Sequence, residues 1–221
     1  MNHSTFIRAG LTVAAAFALS GCLKGTTLEG SLAEVVYNSI SEVGDLESQT
    51  TTMPNGGTAS YTGSTLIQMA NSAADTEQRV MAGTATLEAA FSAAGGAVSG
   101  TLGDFVGAKN VNMQEFNTAI YTGTVDDIEA QIADFTPVDG TIAVTSDTST
   151  GERFTVGFAG TLTQDGDTIE VGGTGAGQFV GEDAAGLKIY GGTNLNGFGT
   201  QSTLTDNGNA QEGQVYVNAT K

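Results

Sequence analysis

Phe154-Thr155-Val156-Gly157-Phe158-Ala159-Gly160-Thr161-Leu162 is the stretch on which the fold class turns. Phe154, Val156, Phe158 and Leu162 share one side of a two-residue repeat, and Thr155, Thr161 and the following Thr163 share the other. Alternate side chains of a strand point to opposite faces, so this spacing predicts one face on a core and one in water. Thr84 to Phe91 repeats the pattern, with Ala85, Leu87, Ala89 and Phe91 against Thr84, Thr86 and Glu88, and Val98, Gly100 and Leu102 continue it. Further strands are expected at Thr58 to Gln68, Phe116 to Thr124, Gly140 to Thr145, Thr168 to Val180, Leu187 to Gly199 and Gln214 to Ala219. Gly95-Gly96, Asp139-Gly140, Asp165-Gly166-Asp167 and Asp206-Asn207-Gly208 are turn signals between them.

Roughly eight or nine short strands at regular spacing predict an all-β domain. Glycines fall inside the expected strands, among them Gly63, Gly83, Gly100, Gly157, Gly160, Gly177 and Gly197. Glycine weakens a strand but permits the coiling that a small closed barrel needs. The expected fold is therefore a single antiparallel eight-stranded soluble β-barrel over residues 55–221. A membrane-spanning barrel would show an outward apolar band with aromatic girdles. Here the second face carries Thr, Ser, Gln and acid, and the chain ends in Ala219-Thr220-Lys221.

Ahead of the barrel the period changes. Leu28, Leu32, Val35, Val36, Ile40 and Val43 recur at helical spacing, and Ser31 with Glu34 reads as a capping box. This helix is expected within a tether spanning residues 22–54, either as a spacer or packed on the barrel.

The first residues read as an address. Met1 to Arg8 is short and polar, and Ala9 to Leu19 is apolar but too short for the ~20 residues a membrane span requires. Leu19-Ser20-Gly21-Cys22 follows, which resembles the bacterial lipobox. Residues 1–21 are expected to be a lipoprotein signal peptide, with diacylglycerol and palmitate carried on Cys22, the sole cysteine. Two or more acyl chains hold a protein stably on a membrane where one does not. Leu23 rather than aspartate follows the cysteine, which by resemblance to enterobacterial sorting rules implies the outer membrane.

Composition narrows the chemistry. The only histidine, His3, leaves with the signal, and the chain has no tryptophan. No Ser-His or Cys-His nucleophile and no His/Cys metal site can be assembled, so a non-enzyme without cofactor or metal is expected. The formal charge is −17, or −18 once Arg8 is removed. Such a surface repels nucleic acid and predicts a protein partner with a basic surface, bound less tightly as salt rises.

Several residue groups are candidates for sites. Asp126, Asp127, Glu129, Asp134 and Asp139 surround Ile128, Ile132 and Phe135 and offer a face for a cation or basic partner; the simpler expectation is a solvated loop or edge strand. Asp206, Asn207, Asn209 and Glu212 have oxygen ligands for calcium, but a hairpin turn accounts for them better. Gly172-Gly173-Thr174-Gly175-Ala176-Gly177 lacks the lysine of a phosphate loop and is expected to be a bulged strand or turn. Tyr61, Tyr121, Tyr190 and Tyr216 are a reserve for haem ligation or, more simply, fillers of the barrel.

Four segments together carry a family likeness: Gly57-Thr58-Ala59-Ser60-Tyr61-Thr62-Gly63, Gly83 to Phe91, Val98 to Phe105, and Gly177-Gln178-Phe179-Val180-Gly181 running on to Gly186. The chain resembles the lipoprotein β-barrels of the transferrin-binding protein B type, over Gly57 to Gly199. The resemblance implies a surface lipoprotein whose barrel captures a host or environmental carrier of iron or haem, or another protein. Where that family has Pro-Asn-Ala or Gly-Asn-Ala, this chain has Glu182-Asp183-Ala184, and it has one barrel where the namesake receptors have two lobes. The other function the sequence admits is a non-catalytic accessory lipoprotein of the periplasmic envelope.

Overall fold

The computed structural model describes residues 31–46, 50, 52–149, 151–193 and 201–221. Nine strands are present: β1 Gly57–Ala70, β2 Glu77–Ser92, β3 Gly95–Asn112, β4 Thr136–Ser146, β5 Arg153–Gln164, β6 Asp167–Val180, β7 Gly186–Gly192, β8 Ser202–Asp206 and β9 Asn209–Thr220. Every strand pairing is antiparallel. β1 through β7 pair in sequence, β7 pairs with β9, and β9 returns to β1, which closes an eight-stranded ring. β8 is an additional strand, paired with the first half of β6 and the start of β9.

β6 therefore changes partner along its length. Ile169–Gly173 pairs with β8 and Ala176–Val180 with β7, and the changeover falls in the glycine-rich run. Gly173 there adopts φ +81°, a conformation L side chains rarely take, and a Cβ on it would lie 2.3 Å from the Gln201 carbonyl. The run is strand rather than turn, its register with β5 is unbroken, and it divides β6 between two neighbours.

An eight-stranded barrel is just wide enough for side chains to fill. That is the state here: Tyr61, Leu87, Leu102, Ile142, Leu162 and Phe179 belong to one continuous buried cluster inside the ring. The Phe154 to Leu162 stretch lies in β5 as expected, with Phe154, Val156, Phe158 and Leu162 inward and Thr155, Thr161 and Thr163 exposed.

Three helices form a second layer on the outside: α1 Leu32–Asp45, α2 Met113–Thr122 and α3 Val125–Ile132. α1 starts at the expected capping box, where Ser31 N–H donates to Glu34 Oε2 at 2.9 Å and Glu34 N–H donates to Ser31 Oγ at 3.3 Å. Its Ala33 and Val36 pack with Phe116, Ile120 and Ile128 of the other helices onto Leu66, Val80 and Ala82 of β1 and β2. Ser39 Oγ lies 2.5 Å from Ser64 Oγ of β1, and Thr220 donates to Glu42 at 2.9 Å. Of the two roles open to this helix, the structure has the one packed on the barrel.

Two expectations are corrected by this layer. Phe116 to Thr124 is not a strand; it lies in α2 and the turn after it. Asn112 caps α2 by accepting from the Gln114 and Glu115 amides, and Phe116, Ala119 and Ile120 fall at helical spacing and are buried. The acidic stretch is not one loop or edge strand either: Asp126, Asp127 and Glu129 lie in α3, Asp134 in the turn after it and Asp139 in β4. Thr124 and Asp127 form a capping box for α3, which buries Ile128 and exposes Asp126, Asp127 and Glu129. The strands also run longer than expected at Glu77–Gly83 and Gly103–Asn112.

Candidate functional site

Among the described residues the inside of the ring is occupied by the buried cluster, and side chains close over both ends. At one end Arg79, 6% exposed, points inward from β2. Its guanidinium pairs with Asp167, reaches Asp206 Oδ2 at 3.1 Å and donates to Gln164 Oε1 at 3.0 Å. Gln164 donates onward to the Gly107 carbonyl at 2.6 Å, and Lys109 also pairs with Asp167. Hydrogen bonds from Lys109, Asn207 and Arg79 hold the Asp167 carboxyl below the usual carboxylate range.

At the other end Phe179 is ringed by Phe154, Phe91 and Tyr61, at centroid distances of 4.9, 5.3 and 6.3 Å. Tyr61 Oη donates to the Ala184 carbonyl at 2.6 Å, and burial pushes its hydroxyl pKa up. The chain ahead of the barrel crosses this end: Thr50 accepts from Ala184 N–H and Thr52 from Asp183 N–H, at 3.3 and 3.1 Å.

These placements decide most of the candidate residues. Tyr61 fills the barrel as expected. Tyr121, Tyr190 and Tyr216 do not; they gather outside, where α2 meets β7 and β9. Tyr190 and Tyr216 lie 4.9 Å apart by centroids. Burial, and then Tyr190 beside it, raise the Tyr121 hydroxyl although the residue as a whole is 57% exposed. The proposed calcium ligands are spread among protein partners. Asp206 faces Arg79, Asn207 donates to Asp167 at 2.9 Å, Asn209 donates to the Asp206 carbonyl and Glu212 accepts from Ala73 N–H. Among the described residues no group of three or more His, Cys, Asp or Glu could hold a metal ion. Residues 1–21, Cys22 and the segment from Asn194 to Thr200 lie outside the described residues.

What remains is the outer surface, and it carries two grooves of opposite sign. One, about 580 Å³, runs between α2 and α3 and is lined by Glu115 and Asp127. Bonds from the Thr124 backbone and hydroxyl keep the Asp127 carboxyl below its ordinary value, so it is charged at neutral pH. The three helices contain no lysine or arginine, and Glu34, Glu42, Glu115, Asp126 and Glu129 are exposed on them. The other groove, about 650 Å³, lies on the outer face of β5, β6 and β7 and holds Arg153 and Lys188 beside Tyr190.

The sequence singled out neither Arg153 nor Lys188, nor the Arg79 cluster. The available signal was scarcity: a chain with 24 acids and 7 bases must place each base against something. Comparison with protein families, with curated proteins and with solved structures finds nothing that matches the chain.

Proposed function

We propose that this chain is a non-catalytic outer-membrane lipoprotein, anchored through Cys22 after loss of residues 1–21, whose barrel captures a protein or nutrient carrier on its outer surface. The observation that carries it is the interior of the ring, occupied among the described residues by one buried side-chain cluster. A small ligand held inside a barrel needs an interior cavity. Here the interior is side chain, so recognition falls to the exterior. The purely acidic helical face suits a carrier with a basic surface, in keeping with the expected loss of affinity at high salt. The resemblance to the transferrin-binding protein B type supports the same role, for iron or haem carriers among others.

The test is protease shaving of intact cells that express the chain with a C-terminal epitope tag, alongside a periplasmic control protein. Loss of the tag with the control intact is expected. Protection until the outer membrane is opened would sink surface capture.

A periplasmic accessory role is the second possibility, and a short tether is compatible with either side of the membrane. Cys22 and Ser31, the first described residue, are nine residues apart, a span of at most about 30 Å. With α1 docked on the barrel rather than extended, a lipid anchor at Cys22 would keep the body beside the membrane. The shaving experiment separates the two outcomes.

A further inference from the structure

The β5–β7 groove has a local cause. Arg153, Gln178 and Lys188 lie side by side across β5, β6 and β7, and Thr155, Ala176 and Tyr190 form the neighbouring row. Ala176 is the small residue in the middle, so the second row dips between Thr155 and Tyr190. Adjacent strands are about 4.8 Å apart, which puts the Arg153 and Lys188 backbones about 10 Å apart on either side of the dip.

The two cations are poorly neutralised. Among the described residues the carboxylate within 4 Å of Arg153, which is 70% exposed, is that of Glu152, at 3.9 Å, a separation that contributes little at a surface. Lys188 is half-buried and has no carboxylate within 4 Å among the described residues. Asp147 stands exposed at the groove's border and lowers the local positive charge without pairing with either base. The Thr148 and Thr155 hydroxyls are exposed there too.

From this geometry we infer that the β5–β7 groove binds a short carboxylate-bearing oligosaccharide. Arg153 presents the planar fork that matches a carboxylate, Lys188 supplies a second point charge, threonine hydroxyls meet sugar hydroxyls, and Tyr190 offers a ring edge. The volume is within the 300–1,000 Å³ or so of small-ligand sites. Size matters for the choice of ligand class. At physiological salt, fields decay over about 8 Å, so a small anion responds mainly to the two local cations. A large acidic protein would meet the whole surface of a chain with net charge −17 and be repelled.

This inference rests on the proposed function only in placing the groove outside the barrel's core; it does not depend on which side of the outer membrane the body occupies. The test is calorimetric titration of the mature chain with trigalacturonate, with neutral galactotriose, hexaglutamate and citrate as comparisons. Trigalacturonate alone is expected to bind. Arg153→Gln and Lys188→Gln should each weaken it at least tenfold and the pair should abolish it. Both positions are solvent-accessible, and unchanged thermal unfolding of the variants checks their fold. Amide NMR of the unmutated chain gives a second readout, with shifts expected at Thr155, Ala176, Lys188 and Tyr190. No binding, or shifts confined to other surfaces, overturns the inference. Equal binding of citrate reduces the groove to a simple anion site, and preferential binding of hexaglutamate makes it an acidic-peptide surface; either overturns the saccharide assignment. Failure here together with successful shaving leaves the proposed function standing.

Discussion

At the end of the barrel where β5 turns into β6, a buried arginine is held by Asp167, Asp206 and Gln164; at the opposite end, Phe179 is held by three other aromatic rings. Both close the same ring of strands, yet they depend on different physics. Aromatic packing gains from burial itself and is insensitive to pH. A buried ion cluster loses solvation and recovers it only while every partner is present. One end is therefore tolerant of conditions and intolerant of shape, and the other is the reverse.

The largest effects should come from emptying each end in turn. Phe179→Ala leaves a cavity among three rings and is expected to cost about 3–5 kcal/mol. Arg79→Ala takes the buried cation away from two partly exposed carboxylates, Asp167 and Asp206, and leaves the Gln164 oxygen unpaired, and is expected to cost about 1–3 kcal/mol. Denaturant unfolding measures both. Because the sites lie at opposite ends, the two losses should add within about 0.5 kcal/mol, measured in a mild stabilising cosolvent if the double variant is marginal. Strong coupling would show that the ends are not independent.

A smaller change sharpens the point about shape. A Cβ on Gly177 would stand 2.1 Å from the Phe154 ring, with two further ring carbons within 2.6 Å. Gly177→Ala should then cost about 1–3 kcal/mol through overpacking, although it adds a single methyl group. An unchanged unfolding midpoint would mean that the aromatic end is looser than drawn. Tyr61→Phe, which keeps the ring but strands the Ala184 carbonyl, should cost about 1–2 kcal/mol by the same measurement.

The two ends also differ in how well the sequence announces them. Tyr61, Phe91, Gly177 and Phe179 fall in glycine- and aromatic-containing segments that can be picked out from the sequence, and in the structure they meet at the aromatic end. Thr155 to Thr163 is legible because its outer face is wet, so burial alternates. β1 and β2 are harder to read because the helices cover their outer faces. Seven consecutive residues are buried in each, Ser64–Ala70 and Arg79–Ala85, and a two-residue repeat vanishes when both faces are dry. Phe116 to Thr124 misleads for a related reason. Its β-branched and aromatic residues favour strand, and the Asn112 cap and the covering helices override that propensity. The Arg79 cluster and the β5–β7 groove join residues from five separate strands and three adjacent ones respectively, a proximity that no local spacing encodes.

Acid distinguishes the ends most gently. Asp167 has a folded-state pKa below its unfolded value, because Lys109, Asn207 and Arg79 bond its charged form. A depressed carboxylate contributes stability that is complete above the unfolded pKa of about 3.9 and is lost as pH falls through the folded value. Between neutrality and about pH 5 the term should be flat; below about pH 4 stability should fall, at no more than about 1.4 kcal/mol per pH unit for this one proton. Asp167→Asn keeps the side chain's size and removes the titration. Its unfolding free energy should lie below that of the parent chain at pH 7 and converge toward it as the pH drops below 4. Phe179→Ala should instead run parallel to the parent through the same range. Parallel curves for Asp167→Asn would show that the charged end is held by packing alone, and the contrast between the two ends would reduce to one of composition.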